Sequence, residues 1–153
     1  MGNLKLIDLL LEEEKPPQIV YHFTTPKGLV GILQSNKIKS HPKFKQVSFT
    51  SDRDLWAFQE FPDSDQEVGV RIELLSRNLP KLTPFVFQGA PGEFLEHEKE
   101  WRTTTGDVVF TPNIEDQILD GSIVITAQEY WKDWLKTNME GPLQPTYNKI
   151  NWV

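Results

Sequence analysis

Three short segments of the chain carry reactive side chains on or beside apolar, strand-like runs. They are Tyr21-His22-Phe23-Thr24, Ser48-Phe49-Thr50-Ser51-Asp52 and Glu96-His97-Glu98-Lys99-Glu100-Trp101-Arg102. Imidazole and hydroxyl groups orient the hydroxyls or amides of a ligand, and carboxylates stabilise developing positive charge. We therefore consider these segments first as candidates for a functional site.

The first two segments offer ligand contacts from strands. Alternation along a strand puts His22 and Thr24 on one face and Tyr21 on the other, and it puts Ser48 and Thr50 on a shared face. One alternative is that His22 is a core histidine whose nitrogens are satisfied by the backbone. The alternative for the hydroxyls is cross-strand pairing, with Asp52 capping a short helix.

The third segment is dense in carboxylates. In an extended conformation Glu96, Glu98 and Glu100 lie on one face, where they repel each other unless a cation, a ligand or partial protonation relieves them. A carboxylate placed there could bind a sugar hydroxyl and stabilise positive charge at an anomeric carbon, as acids do in glycosyl transfer. The alternative is a solvated helical turn in which Glu98 pairs with Arg102.

Composition excludes several other chemistries. The chain has no cysteine and three histidines, which rules out thiol nucleophiles, disulfides and thiolate metal sites. His97 has no second histidine nearby and no HExxH motif, so we expect no metal site. Gly28 and Gly31 fall inside a predicted helix without a following Lys-Ser or Lys-Thr, which argues against a phosphate-binding glycine loop.

Charge and hydropathy limit the partners. A net charge of −6 argues against a surface for duplex DNA. Lys5 and Asp8 interrupt the first apolar stretch, so we predict neither a membrane span nor a signal peptide. A cytoplasmic protein is the resulting expectation.

The 153 residues fit one domain spanning 1–153. We predict an α+β domain with a twisted, mainly antiparallel sheet flanked by a few short helices, because strand patterns outnumber helical ones. The predicted strands are 18–25, 46–50, 67–74, 82–87, 107–111 and 122–126. The predicted helices are an N-terminal one in 1–15, one starting at Pro26 after a Thr25 cap, a short one around 55–58 and one over 127–139, followed by an extended tail over 140–153.

In this order, the Tyr-His-Phe-Thr strand entering a helix, the Ser-Phe-Thr strand followed by Asp52, and Glu98-Lys99-Glu100-Trp101-Arg102 resemble motifs of small bacterial and phage proteins with the ADP-ribosyltransferase-like fold. The resemblance covers roughly residues 19–126. It implies a split antiparallel sheet whose central cleft binds NAD in a bent conformation and cleaves the nicotinamide–ribose bond. The chain departs from the pattern because the first strand has no arginine and the middle motif is not Ser-Thr-Ser.

The resemblance also implies roles for individual residues. His22 would contact a ribose of NAD, with Tyr21 or Thr24 beside it. Ser48 and Thr50 would orient the catalytic glutamate, which would be Glu98 or Glu100. Arg102 or Arg71 would hold the pyrophosphate, because a guanidinium fork suits phosphate oxygens.

The function expected from this resemblance is that of an NAD-dependent mono-ADP-ribosyltransferase or a toxin-like, NAD-consuming effector of phage or bacterial origin. Its acceptor would be a protein or a nucleic acid. One alternative is an RNA 2′-phosphotransferase-like enzyme, against which the acidic charge counts unless the basic stretch 37–45 contacts nucleic acid. Another is a non-enzymatic module that presents tryptophans to a protein partner, namely Trp56, Trp131, Trp134 and Trp152.

Overall fold

The computed structural model describes residues 15–53, 68–85 and 100–153. These residues form an α+β domain in which nine strands are accompanied by four short α-helices. The strands are β1 (Ile19–Thr24), β2 (Lys37–Ile38), β3 (Ser48–Thr50), β4 (Val70–Leu75), β5 (Leu82–Phe85), β6 (Glu100–Thr103), β7 (Val108–Val109), β8 (Val124–Ala127) and β9 (Asn151–Trp152). The helices are α1 (Pro26–Ser35), α2 (Ile114–Leu119), α3 (Lys132–Asn138) and α4 (Gln144–Tyr147), with 3₁₀ turns at Ser76–Asn78, Glu129–Trp131 and Gly141–Leu143.

Seven of the strands form one open sheet in the order β5-β6-β3-β1-β4-β8-β9. Neighbouring strands are antiparallel except β8 and β9, which run parallel. Strands β2 and β7 pair separately. The predicted α+β class with a mainly antiparallel sheet is therefore confirmed.

Strand β1 runs directly into helix α1, as predicted. The Thr25 side chain accepts a hydrogen bond of 2.9 Å from the Gly28 amide, and Pro26 occupies the first turn, where its missing N–H has no cost. Asn36 ends the helix in the left-handed conformation, with φ of 58°. These local signals fix where β1 ends and thus where His22 and Thr24 lie.

The predicted alternation along β4 is also observed. Val70, Ile72 and Leu74 are buried, while the residues between them keep partial exposure. Their buried face belongs to a single apolar cluster that also includes Leu29 and Leu33 of α1. This core holds β1 and β4 together along their whole lengths, from Ile19 opposite Leu75 to Thr24 opposite Val70.

The junction between β1 and β3 is much shorter than the junction between β1 and β4. It has one registered pair, Tyr21 opposite Thr50, whereas β1 and β4 share six. The two strands separate on the His22 side of this pair. The centre of the sheet therefore has a gap, to which Tyr21, His22 and Ser48 all lie close.

The C-terminal part differs from the sequence-based expectation. The predicted extended tail over 140–153 is wrong, because these residues form the turn Gly141–Leu143, helix α4 and strand β9. Leu143 and Ile150 are buried in the core, which explains why the segment folds back on the domain.

The helix predicted over 127–139 begins later than expected. Ala127 completes β8, residues Glu129–Trp131 form a 3₁₀ turn, and α3 starts at Lys132. Helix α2, capped by the Asn113 side chain, was not predicted. The predicted helix around 55–58 lies outside the described residues, and so does the one in 1–15 apart from Lys15. Every helix in the described ranges is too short or too polar to span a membrane.

Candidate functional site

Strands β3 and β6 bring Ser48, Glu100 and Arg102 together. Register pairs Ser48 with Arg102 and Thr50 with Glu100, so these four side chains share one face of the sheet. The Ser48 hydroxyl donates a short hydrogen bond to Glu100 Oε1, and Arg102 Nε donates to the same oxygen at 3.0 Å. One oxygen of the Glu100 carboxylate is thus held by two donors, one of them charged.

The Arg102 guanidinium is itself clamped. Its Cζ lies 3.5 Å from the centre of the Phe85 ring and 5.9 Å from that of Phe44, and its Nη1 donates to Gln46 Oε1 at 3.4 Å. Guanidinium groups stack well on aromatic faces, so Phe85 fixes the plane of this one. Nη2 has no partner within the described residues.

His22 lies on the opposite face of the sheet, beside Phe49, with ring centres 5.6 Å apart. Its Nδ1 is 2.9 Å from the Ser48 carbonyl oxygen. A carbonyl oxygen can only accept, so Nδ1 carries the proton and Nε2 of the neutral ring is an acceptor. Burial lowers the pKa of His22 below its usual value, while the bond to Ser48 raises it to a smaller extent. The ring is therefore neutral at neutral pH.

A cavity of about 270 Å³ opens at the gap between β1 and β3. Its walls are residues 21–23 of β1, residues 48–50 of β3, and Glu100 of β6. The volume lies just below the roughly 300–1,000 Å³ of typical small-molecule sites. The cavity is therefore slightly smaller than such sites, and the held carboxylate lies at its wall.

A second cavity, of about 280 Å³, shares His22 with the first. It extends past Thr24 to Gly28 and Gly31 of helix α1, and to the basic residues Lys37 and Lys39. A Cβ at position 28 would overlap the Thr24 hydroxyl, so glycine is what allows this hydroxyl to lie against the helix. His22 thus lines both the cavity that contains Glu100 and the cavity that contains Lys37 and Lys39.

Tyr21 and Arg71 contribute differently. The pKa of Tyr21 is raised, mainly because the phenol is desolvated and secondly because the carboxylate of Glu73 lies nearby. Arg71 stacks on the Tyr21 ring at 5.8 Å and donates to Thr126 Oγ1 at 3.4 Å. Arg71 lines neither of the two cavities. Arg102 lines neither cavity either, but of the two predicted pyrophosphate-binding arginines it is the one that contacts the Glu100 carboxylate.

The structure thus gathers Tyr21, His22, Ser48, Thr50 and Glu100 around the first cavity, and it places Thr24 in the second. Glu98 and His97 lie outside the described residues. Arg102 belongs to strand β6 and forms an ion pair with Glu100. The alternative of a helical turn therefore does not hold for residues 100–103.

The sequence analysis did not predict three residues of the site, Gln46, Phe44 and Phe85, which contact Arg102. The alternation of Glu100 and Arg102 along a strand could have revealed their pairing, but nothing local in the sequence links them to Phe85. Among the described residues, no group of three or more His, Asp or Glu side chains could hold a metal ion.

No protein-family model, curated protein or solved structure matches this chain.

Proposed function

We propose that the protein cleaves the nicotinamide–ribose bond of NAD and transfers ADP-ribose to an acceptor, with Glu100 as the catalytic carboxylate. The observation that carries this proposal is the Glu100 carboxylate, held by Ser48 and Arg102 at the wall of a cavity that His22 also lines. The order of the three motifs that resemble the ADP-ribosyltransferase-like fold supports it.

The chemistry needs little beyond one well-placed carboxylate. The bond between ribose C1′ and the nicotinamide nitrogen breaks, and its electron pair neutralises the pyridinium ring. Positive charge then develops on the ribose, where the negative charge of Glu100 stabilises it. A nucleophile of the acceptor bonds to C1′ and releases its proton to solvent. If water is the acceptor, the protein consumes NAD without modifying a target.

Two donors on one carboxylate oxygen serve this reaction because catalysis favours groups that are oriented before charge develops. Ser48 and Arg102 leave Glu100 Oε2 for the ligand, as no described residue donates to it. The catalytic role therefore belongs to Glu100, and Ser48 is a positioning residue.

The two cavities together suit a bent dinucleotide better than either does alone. In this arrangement the nicotinamide riboside lies against Glu100, and His22 Nε2 accepts a hydrogen bond from a ribose hydroxyl. The pyrophosphate meets Arg102 Nη2. Thr24 and Thr50 supply further hydroxyl contacts from the two strands.

A second candidate function is a protein-binding module, favoured by an exposed aromatic cluster at the start of α3. Tyr130 is 63% exposed and Trp134 is 37% exposed, and both contact Trp131 edge to face. Aromatic residues of this kind are frequent in interface hot spots. Trp152 packs against Tyr147 instead, and Trp56 lies outside the described residues.

The deciding experiment follows nicotinamide release from NAD by NMR for the wild type, Glu100→Gln, Glu98→Gln and Glu129→Gln. Loss of a preorganised electrostatic group lowers turnover by about 10²–10³-fold, which is the loss expected for Glu100→Gln. Glu129→Gln is the matched control, because Glu129 is exposed and lines neither cavity.

Stability separates this loss from misfolding. The Glu100–Arg102 pair is partly exposed, and such pairs contribute about 0–1 kcal/mol, so Glu100→Gln should unfold within about 1 kcal/mol of the wild type. If concentrated wild-type protein neither binds nor cleaves NAD, the proposal fails and the aromatic cluster becomes the site to investigate. If Glu98→Gln is inactive while Glu100→Gln is active, the catalytic carboxylate is Glu98.

A further inference from the structure

A basic loop lies next to the candidate site. Residues 37–45 contain four lysines and no acidic residue, in a chain whose net charge is −6. Lys37 is paired with Asp107 at 3.7 Å. Lys39, Lys43 and Lys45 form no ion pair within residues 15–53, 68–85 and 100–153. The loop is therefore a local positive surface on an otherwise acidic protein, which is the arrangement that attracts a polyanion.

This loop presents an aromatic ring to solvent. Phe44 is 55% exposed. The ring of His41 packs against it with centres 4.9 Å apart, and Lys43 Nζ lies 5.6 Å from its centre. An exposed aromatic ring in a basic segment is a common platform for stacking a nucleic acid base.

The loop is held in a defined shape. The His41 amide donates to the Gln46 carbonyl at 3.0 Å, and the Lys45 amide donates to the His41 carbonyl at 2.7 Å. His41 Nδ1 also accepts from the amide of Lys43 at 3.1 Å. The position of Phe44 is therefore preorganised, which lowers the entropy lost on binding.

Phe44 is connected to the candidate catalytic group through Arg102. The guanidinium Cζ is 5.9 Å from the centre of the Phe44 ring and 3.5 Å from that of Phe85, and Nε donates to Glu100. A base stacked on Phe44 would thus lie one side chain away from the carboxylate. Its phosphates would face Lys43 and Lys45.

We propose that the surface formed by Phe44, Lys39, Lys43 and Lys45 binds single-stranded nucleic acid, and that this nucleic acid is the acceptor of ADP-ribose. The acceptor role rests on the proposed function, whereas the binding does not. In the transfer, a nucleophilic nitrogen or oxygen of the nucleic acid bonds to ribose C1′, nicotinamide leaves with the bonding electrons, and the nucleophile loses its proton to solvent. A duplex is disfavoured because its stacked bases cannot reach Phe44.

The test measures fluorescence anisotropy of labelled ten-nucleotide oligo(dT) and oligo(U), single-stranded and as duplexes, without NAD. Three phosphate contacts predict that log K falls with log salt at a slope of about −2 on single strands. The double change Lys43→Gln/Lys45→Gln should reduce that slope by about 1.4. Phe44→Ala should weaken binding about five- to 150-fold, the range measured for stacked bases.

Matched controls separate this surface from general charge and folding effects. Lys136→Gln/Lys149→Gln removes two exposed lysines from around α3 and α4, and Tyr130→Ala removes an exposed aromatic ring, so both should bind oligonucleotide as the wild type does. Phe44→Leu keeps an apolar side chain but removes the aromatic face, so it should also bind weakly if stacking is the cause. Unfolding temperatures of all variants are compared with the wild type.

The outcomes distinguish the two proposals. Equal binding of single strands and duplexes, or full binding by Phe44→Leu and Phe44→Ala, overturns the nucleic acid surface. Oligonucleotide binding without nicotinamide release supports the surface and refutes the proposed function. If NAD is cleaved and the oligonucleotides bind but carry no ADP-ribose by mass spectrometry, the acceptor role is refuted and a protein or water becomes the acceptor.

Discussion

Replacing Ser48 by alanine is expected to slow NAD cleavage while leaving NAD binding unchanged. The Ser48 hydroxyl donates to the oxygen of Glu100 that also accepts from Arg102. A hydrogen bond to a charged group is worth about 1.5–3 kcal/mol, and about 1.4 kcal/mol corresponds to a tenfold change in rate. If that bond orients the carboxylate in the transition state, kcat falls about 10- to 150-fold.

The assay is initial-rate nicotinamide release over a range of NAD concentrations, which separates kcat from KM. An interaction that acts only in the transition state lowers kcat and leaves KM unchanged. Ser48→Thr keeps a hydroxyl on a residue that suits a strand, so it should recover most of the activity. Ser48 is exposed, and unfolding of Ser48→Ala should therefore stay within about 0.5 kcal/mol of the wild type.

A double-mutant cycle tests whether Ser48 acts through Glu100. In the Glu100→Gln background the Ser48→Ala change should cost nothing further, because the charge that the hydroxyl oriented is gone. The reasoning is refuted if Ser48→Ala retains at least half of the wild-type kcat, or if it raises KM with kcat unchanged.

Two further predictions concern the frame of the site. Burial lowers the pKa of His22, so below its ordinary value of about 6.5 the unfolded chain binds more protons than the folded one, and stability is lost as pH falls. Between pH 6.5 and 5.5 this loss is at most about 1 kcal/mol of unfolding free energy, which urea unfolding at the two pH values measures. His22→Asn should abolish the loss, whereas the control His41→Gln, at an exposed position, should retain it. Equal pH dependence in all three proteins contradicts this. A Cβ at Gly69 would lie 2.7 Å from two atoms of the Trp131 ring, so Gly69→Ala should lower the free energy of unfolding by about 1–3 kcal/mol. A Cβ at Gly31 in helix α1 would have no atom within 4 Å, so Gly31→Ala should raise the free energy of unfolding by about 0.5–1 kcal/mol. Unfolding curves decide this, and an unchanged Gly69→Ala would show that Trp131 moves away without cost.

Local signals predicted the elements that carry the site. The Thr25 cap and the first-turn Pro26 locate the start of α1, and alternation locates β4. These features depend on neighbours within a few residues, which the sequence shows directly. Helix α2 was not predicted because its six residues are too few to show a helical period in the sequence.

Pairings between distant strands could not be predicted in the same way. Ser48 lies opposite Arg102 in the sheet, although it precedes Arg102 by 54 positions in the sequence. Nothing in the sequence near Arg102 indicates this pairing. His22 and Ser48 were expected in one site, but their side chains lie on opposite faces, and they meet through the Ser48 carbonyl at the gap between β1 and β3. Such contacts depend on register and on the loss of ladder pairing, which are set by the packing of the whole sheet.

The gap between β1 and β3 also divides the sheet into two weakly paired halves. On one side lies the half-sheet β5-β6-β3 and on the other the half-sheet β1-β4-β8-β9, joined by one ladder pair and the imidazole of His22. A ligand bound in this gap would contact both halves at once and would restrict their motion relative to each other. Part of its binding free energy would then appear as stiffness, with slower amide exchange in strands that the ligand never contacts.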